Sequence, residues 1–111
     1  MKDKILSLLG LIKRANRLIL GEAILNQFKN VKFLFIASDA SEKSKERYLK
    51  KCNYYNVPYN LSFTTDELSH ALGKNNVKVI GVVDDGFKKA IIKEIERGCN
   101  YGETSEEKIE Q

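Results

Sequence analysis

The sequence predicts an α/β protein built as a three-layer α/β/α sandwich around a mixed sheet of about four strands. Three observations carry that prediction. Segments with helical apolar spacing alternate with short apolar runs along most of the chain. One run, Lys32–Ala37, is continuously apolar, as expected of a central strand covered on both faces, and Val77–Val83 is the other strong strand. A chain of 111 residues with 42% hydrophobic and 31% charged residues has material for one core and not for two.

The first helix is expected over 2–15, where Ile5, Leu8, Leu9 and Ile12 share one face. Leu18–Leu20 suits an edge or lead-in strand. A second helix over about 21–29 would bury Ile24, Leu25 and Phe28. The strand at Lys32–Ala37 runs into Ser38-Asp39-Ala40-Ser41-Glu42, where Asp39 and Glu42 have the spacing of a helix-capping pair. A third helix follows to about Asn53, with Tyr48, Leu49 and Cys52 inward. Pro58 places a short strand near Val57–Asn60 at a sheet edge or strand start. Thr64-Thr65-Asp66-Glu67 is a capping box for a short helix that Gly73 ends. After the strand at Val77–Val83, Asp84 and Asp85 are expected to cap a last helix carrying Phe87, Ala90, Ile91 and Ile95 on one side. Residues 1–97 are thus expected to form the domain, and 98–111 an acidic flexible tail.

The net charge of +4 is uneven. Glu103, Glu106, Glu107 and Glu110 against Lys108 give residues 98–111 a charge of −3, leaving +7 on the first 97. A small domain with that charge is biased toward polyanions, because counterion release favours phosphate binding. No apolar run approaches the ~20 residues that span a bilayer. Met1–Gly10 has helical spacing without a small-residue cleavage site, so it reads as a folded helix, not an export signal. Cys52 and Cys99 suggest neither a disulfide framework nor a metal set. These features lead us to expect a cytoplasmic monomer without a membrane partner or cofactor.

Catalytic motifs are lacking. His70 stands alone beside Leu68 and Ala71, and no family-type nucleophile sequence surrounds either cysteine. The chain holds neither GxGxxG nor GxxxxGK[ST], the usual phosphate cradles. The Tyr54–Tyr59 run beside Lys50 and Lys51 has the composition of a base-stacking surface. Tyr55 and Tyr59 are instead expected to close the core around the short third strand.

The functional candidate is the junction at Gly21-Glu22, preceded by Lys13-Arg14-Ala15-Asn16-Arg17. Glycine lets a ligand approach the backbone, and unpaired amides at a helix start favour anions and polar edges. We expect this junction to face RNA, with Lys13, Arg14, Arg17 and Lys74 on phosphates. Glu22 suits the helix dipole but repels phosphate.

The succession Leu9-Gly10-Leu11, the basic patch before Ile19, Gly21-Glu22, Phe33–Ser41, Lys51-Cys52-Asn53-Tyr54-Tyr55-Asn56-Val57-Pro58-Tyr59 and Asp85-Gly86-Phe87 resembles the bacterial YlxQ branch of the archaeal L-seven-Ae ribosomal protein family. The resemblance covers about residues 5–95. It implies an α/β/α sandwich with a mixed four-stranded sheet, and binding to kink-turn or ribosomal RNA. In the wider family RNA meets two places. One is a Gly-x-Asn-Glu-x-x-Lys junction, which falls on Gly21, Glu22 and onward to Gln27. The other is the loop before the last strand, which falls on Lys74, Asn75, Asn76 and Val77.

Ala23, Ile24 and Gln27 depart from that motif. Alanine and isoleucine make no hydrogen bonds to base edges, and glutamine brings no charge. By analogy with base readout in DNA, each lost contact costs roughly 1–3 kcal/mol. The implied function is therefore non-catalytic RNA binding with weakened base readout. A competing expectation is a protein-interaction module of the translation machinery, using an apolar patch of Leu20, Ala23 and Ile24. A small phosphate-handling enzyme would rest on fold analogy alone.

Overall fold

The computed structural model describes residues 2–97. Helix α1 (Lys2–Arg14) leads through a turn at Asn16 into strand β1 (Leu18–Leu20). The turn closes when the Arg17 amide donates to the Ile12 carbonyl at 3.1 Å, with Asn16 left-handed at φ 63°. Helix α2 (Ala23–Asn26) and a 3₁₀ turn at Phe28–Asn30 precede strand β2 (Phe33–Ile36). Helix α3 (Glu42–Tyr55), strand β3 (Tyr59–Asn60), helix α4 (Thr65–Leu72), strand β4 (Val79–Val82) and helix α5 (Asp85–Arg97) complete the order. The tail expected over 98–111 lies outside the described residues.

The four strands lie in the order β1-β4-β2-β3. β4 is antiparallel to both β1 and β2, whereas β2 and β3 run parallel, so the sheet is mixed as expected. Every residue of β2 and β4 is buried. Successive side chains on a strand point to opposite faces, so both faces of the central pair are covered. α1 packs with α4 and α5, while α3 packs against β2 and the 3₁₀ turn. Phe35 lies between Phe33 and Phe63, with ring centroids 5.0 and 5.9 Å away. Cys52 is fully buried.

The second helix is shorter than its pattern suggested. Gln27 leaves helical geometry at φ −124°, ψ 26°, and a tighter turn takes over. A segment this short has little intrinsic helicity and is held by its anchors, the buried Ile24 and Phe28. Phe28 stacks on Tyr55 at 5.7 Å.

The cap of α3 also differs from expectation. Ser41, not Asp39, accepts from the Ser44 amide at 3.1 Å. Asp39 reaches instead across the fold to the start of α4. Its Oδ1 accepts from the Thr65 amide at 2.9 Å and the Thr65 hydroxyl at 2.7 Å. The Thr64–Glu67 capping box is present beside it, and Asp84 Oδ2 caps α5 by accepting from the Phe87 amide at 3.0 Å.

Hydrogen bonds from the Thr65 hydroxyl and then its amide hold the Asp39 carboxyl below the ordinary carboxylate range, against a small penalty from burial. A depressed folded-state pKa stabilises the protein above the unfolded value and loses that effect as pH falls through the folded one. Asp39→Ala is therefore expected to lower the melting temperature at neutral pH. Thermal denaturation across a pH series should show the gap from wild type narrowing below the ordinary value of 3.8. A gap that widened in acid would contradict this role.

Candidate functional site

Two segments about fifty residues apart in sequence meet across one groove. Leu20, Gly21 and Glu22 form one wall, Lys74–Val79 the other, and Ser44 and Tyr48 of α3 complete it. The groove encloses about 370 Å³. It exists because β1 and β4 pair antiparallel with Leu20 opposite Ile80, which brings the end of β1 beside the approach to β4.

Gly21 is solvent-exposed and left-handed at φ +65°, and no atom lies within 4 Å of where a Cβ would project. The backbone is therefore bare where the chain turns. Its carbonyl accepts from the Ile24 amide at 3.0 Å, and that of Glu22 accepts from Leu25 at 3.0 Å. α2 has only four residues, so it brings little helix dipole. The bare turn survives from the sequence expectation; the dipole does not.

The Tyr48 hydroxyl donates a long hydrogen bond, 3.4 Å, to the Gly21 carbonyl. Burial pushes its pKa above 10.0, opposed by the nearby Arg47 and reinforced by Glu22. The hydroxyl thus stays a donor at neutral pH. Sequence reasoning placed Tyr48 in the core and passed over Ser44. Their i, i+4 spacing on α3 was the signal that one helical face serves both core and groove.

The opposite wall is held rigidly. The Gly73 and Lys74 amides donate to the His70 and Ser69 carbonyls at 3.2 and 3.0 Å. The Val77 amide donates to the buried Ser69 Oγ at 2.9 Å. Gly73 and Asn76 are both left-handed, so the loop folds back on α4 and leaves Lys74, Asn75 and Asn76 exposed. Val77 is buried and contributes the wall's apolar base. Lys78, not singled out from sequence, adds a second exposed cation.

The remaining candidates fall elsewhere. Lys13 Nζ donates to the Leu72 carbonyl at 2.8 Å, so it is tied to the end of α4. With Arg14 it lines a neighbouring groove between α1 and α4 that also holds His70 and Gly73. Arg17 precedes β1, roughly 13 Å along the strand from Gly21. Gln27 is exposed but lies past the end of α2, outside the groove. Ile24 is fully buried, its side chain about 3.4 Å from the Cβ position of Gly81. The apolar patch of Leu20, Ala23 and Ile24 therefore does not form.

Two substitutions test this construction. Ser69→Ala leaves a buried amide without its acceptor and should cost about 1–2 kcal/mol in chemical denaturation. Gly21→Ala meets no clash but forces a left-handed alanine, which should cost about 1 kcal/mol. A neutral result for either would show that the corresponding wall is not held as described.

No established family profile matches the chain. A curated protein of Enterococcus faecium, RNA-binding protein YlxQ, is 40% identical over 91 residues, covering 79% of this chain and 87% of its own. RNA-binding protein YlxQ of Bacillus subtilis (strain 168) is 34% identical over 88 residues, covering 77% and 88%. A solved structure of a protein of unknown function from Bacillus halodurans superposes with a TM-score of 0.78 at 36% identity, covering 84% of this chain and 97% of that one. Identity at this level over most of both chains, with the same fold, shows that the chain belongs to the YlxQ family.

Proposed function

We propose that this protein is a non-catalytic RNA-binding protein of ribosomal-protein type that takes structured RNA into the groove between Gly21 and Lys74–Lys78. The observation that carries the reading is the meeting of those two segments in one exposed groove with a bare glycine turn. The two YlxQ relatives, both named as RNA-binding proteins, and the charge of +7 on the first 97 residues support the same ligand.

The chemistry divides by residue. Lys74 and Lys78 suit phosphates, and Lys13, Arg14 and Arg17 suit flanking backbone beyond the groove. Asn75 and Asn76 carry amides that both donate and accept. The Tyr48 hydroxyl, its proton directed to the Gly21 carbonyl, leaves an acceptor lone pair. Glu22 accepts only, which favours a base amino group or a ribose 2′-hydroxyl and disfavours phosphate at that wall. With Ala23 apolar, Ile24 buried and Gln27 off the groove, few side chains remain to read bases from α2. Shape and backbone contacts then dominate, whether the target is a kink-turn or another ribosomal fold. We place this activity in the cytoplasm with a monomeric protein. Residues 1–97 would form the binding domain and 98–111 an acidic appendage to it.

Filter binding of a kink-turn hairpin across a salt series tests the proposal. Affinity should fall steeply with salt, and the paired substitution Lys74→Ala and Lys78→Ala should flatten the slope by roughly 0.7–0.9 per cation removed. Absence of binding at low salt, or a slope unchanged in the double variant, would refute it.

A further inference from the structure

Helix α3 carries a second feature that the groove does not use. Lys43, Arg47, Lys50 and Tyr54 recur at i, i+4, i+7 and i+11, so they form one stripe along the helix, with Lys51 at its margin. All five are exposed. Glu46 borders the stripe, while Glu42 is paired to Lys45 at 3.8 Å. A solvated charged face is the ordinary fate of such a pattern, and the end of the stripe argues otherwise. Tyr54 is 79% exposed, and Tyr55 beside it is 39% exposed. Of the three exposed large hydrophobic residues among those described, two are thus adjacent here. Tyr55 is buttressed by stacking on the buried Phe28, and it meets Tyr54 edge-to-face at 4.8 Å. Tyr54 therefore stands on a fixed aromatic base, with Lys50 one turn before it.

We propose that the Lys43–Tyr54 face of α3 is a binding surface for single-stranded RNA, with phosphates on its cations and a base stacked on Tyr54. The class of ligand rests on the RNA-binding reading above. The surface itself is distinct from the groove: the groove reaches along α3 only to Tyr48, Tyr54 stands about 9 Å beyond it, and the stripe runs about 16 Å from Lys43 to Tyr54. That span accommodates up to about five nucleotides at the stacked spacing of ~3.4 Å. Alternating cations with an aromatic platform is the arrangement by which proteins hold single strands without reading sequence. Arg47 of the stripe is the chain neighbour of Tyr48, which lines the groove, so the two surfaces adjoin along α3 and a strand leaving the groove meets the stripe next.

Fluorescence anisotropy with a labelled oligouridylate of about twelve nucleotides tests the surface, alongside a kink-turn hairpin lacking overhangs. The wild type should bind the oligouridylate with marked salt dependence. Tyr54→Ala should weaken that binding roughly tenfold, and Tyr54→Phe should retain it, because the ring and not the hydroxyl is required. Lys50→Ala with Lys51→Ala should flatten the salt slope by about 0.7 per cation. None of these changes should affect the hairpin. If Tyr54→Ala binds oligouridylate as wild type does, or the wild type fails to bind it at low salt, the inference is overturned while the hairpin result still judges the groove. Tyr54-dependent capture of a polyglutamate peptide without oligouridylate binding would also overturn it, in favour of an acidic protein partner. Tyr54-dependent oligouridylate binding with no hairpin binding would uphold the stripe and remove the groove.

Discussion

Leu20 faces Ile80 across an antiparallel pair of strands, and most of what this protein presents at its surface depends on that register. β1 is only three residues long and lies at the sheet edge, so its placement comes from β4, a fully buried central strand. β4 is fixed in turn by β2 on its other side, with Phe33 opposite Val82 and Ile36 opposite Val79. A slip of one residue would send each side chain of this pair to the other covered face, where the packing is built for a different side chain. The core thus sets, through two strand pairings, where the Gly21 turn and the 74–78 segment stand relative to each other.

The groove between them sets the bare Gly21 backbone and the polar Asn75 and Asn76 over an apolar base of Leu20, Val77 and Val79. Its glycine wall has an exposed left-handed turn, and its other wall is braced by Ser69 and two left-handed residues. Such a surface is preorganised, so little ordering is required when a ligand arrives. It offers donors and acceptors of both kinds but few long side chains to discriminate bases. That balance fits recognition led by shape, with Lys74 and Lys78 in the groove wall and the cations beyond it contributing salt-dependent affinity.

Local signals were legible in the sequence and distant ones were not. The Thr64–Glu67 box and the Gly73 stop depend on residues within one or two turns, and both occur as expected. The Asp84 cap follows the same logic. Asp39 was misassigned because its partner Thr65 is 26 residues away, a contact that only the sheet and helix packing create. The second helix was overextended because Ile24, Leu25 and Phe28 keep helical spacing even though the chain tightens at Gln27. For the site, the sequence identified both walls through Gly21 and Lys74–Val77. It also grouped Lys13, Arg14 and Arg17 with them, since sequence proximity does not show that a strand carries Arg17 away from the turn. Tyr48 escapes notice because a residue that is buried and also lines a groove has the same pattern as a core residue, and Ser44 because a half-buried helical serine has no such pattern of its own.

Gly21 and the 74–78 segment are proposed to form one RNA-contacting surface. Amide chemical shifts recorded by NMR during titration with a kink-turn hairpin address it most directly. Concerted shifts at residues 20–22 and 74–78, saturating at one common RNA concentration, are predicted. Shifts confined to only one of those segments, or gathered elsewhere while both stay unmoved, would contradict it.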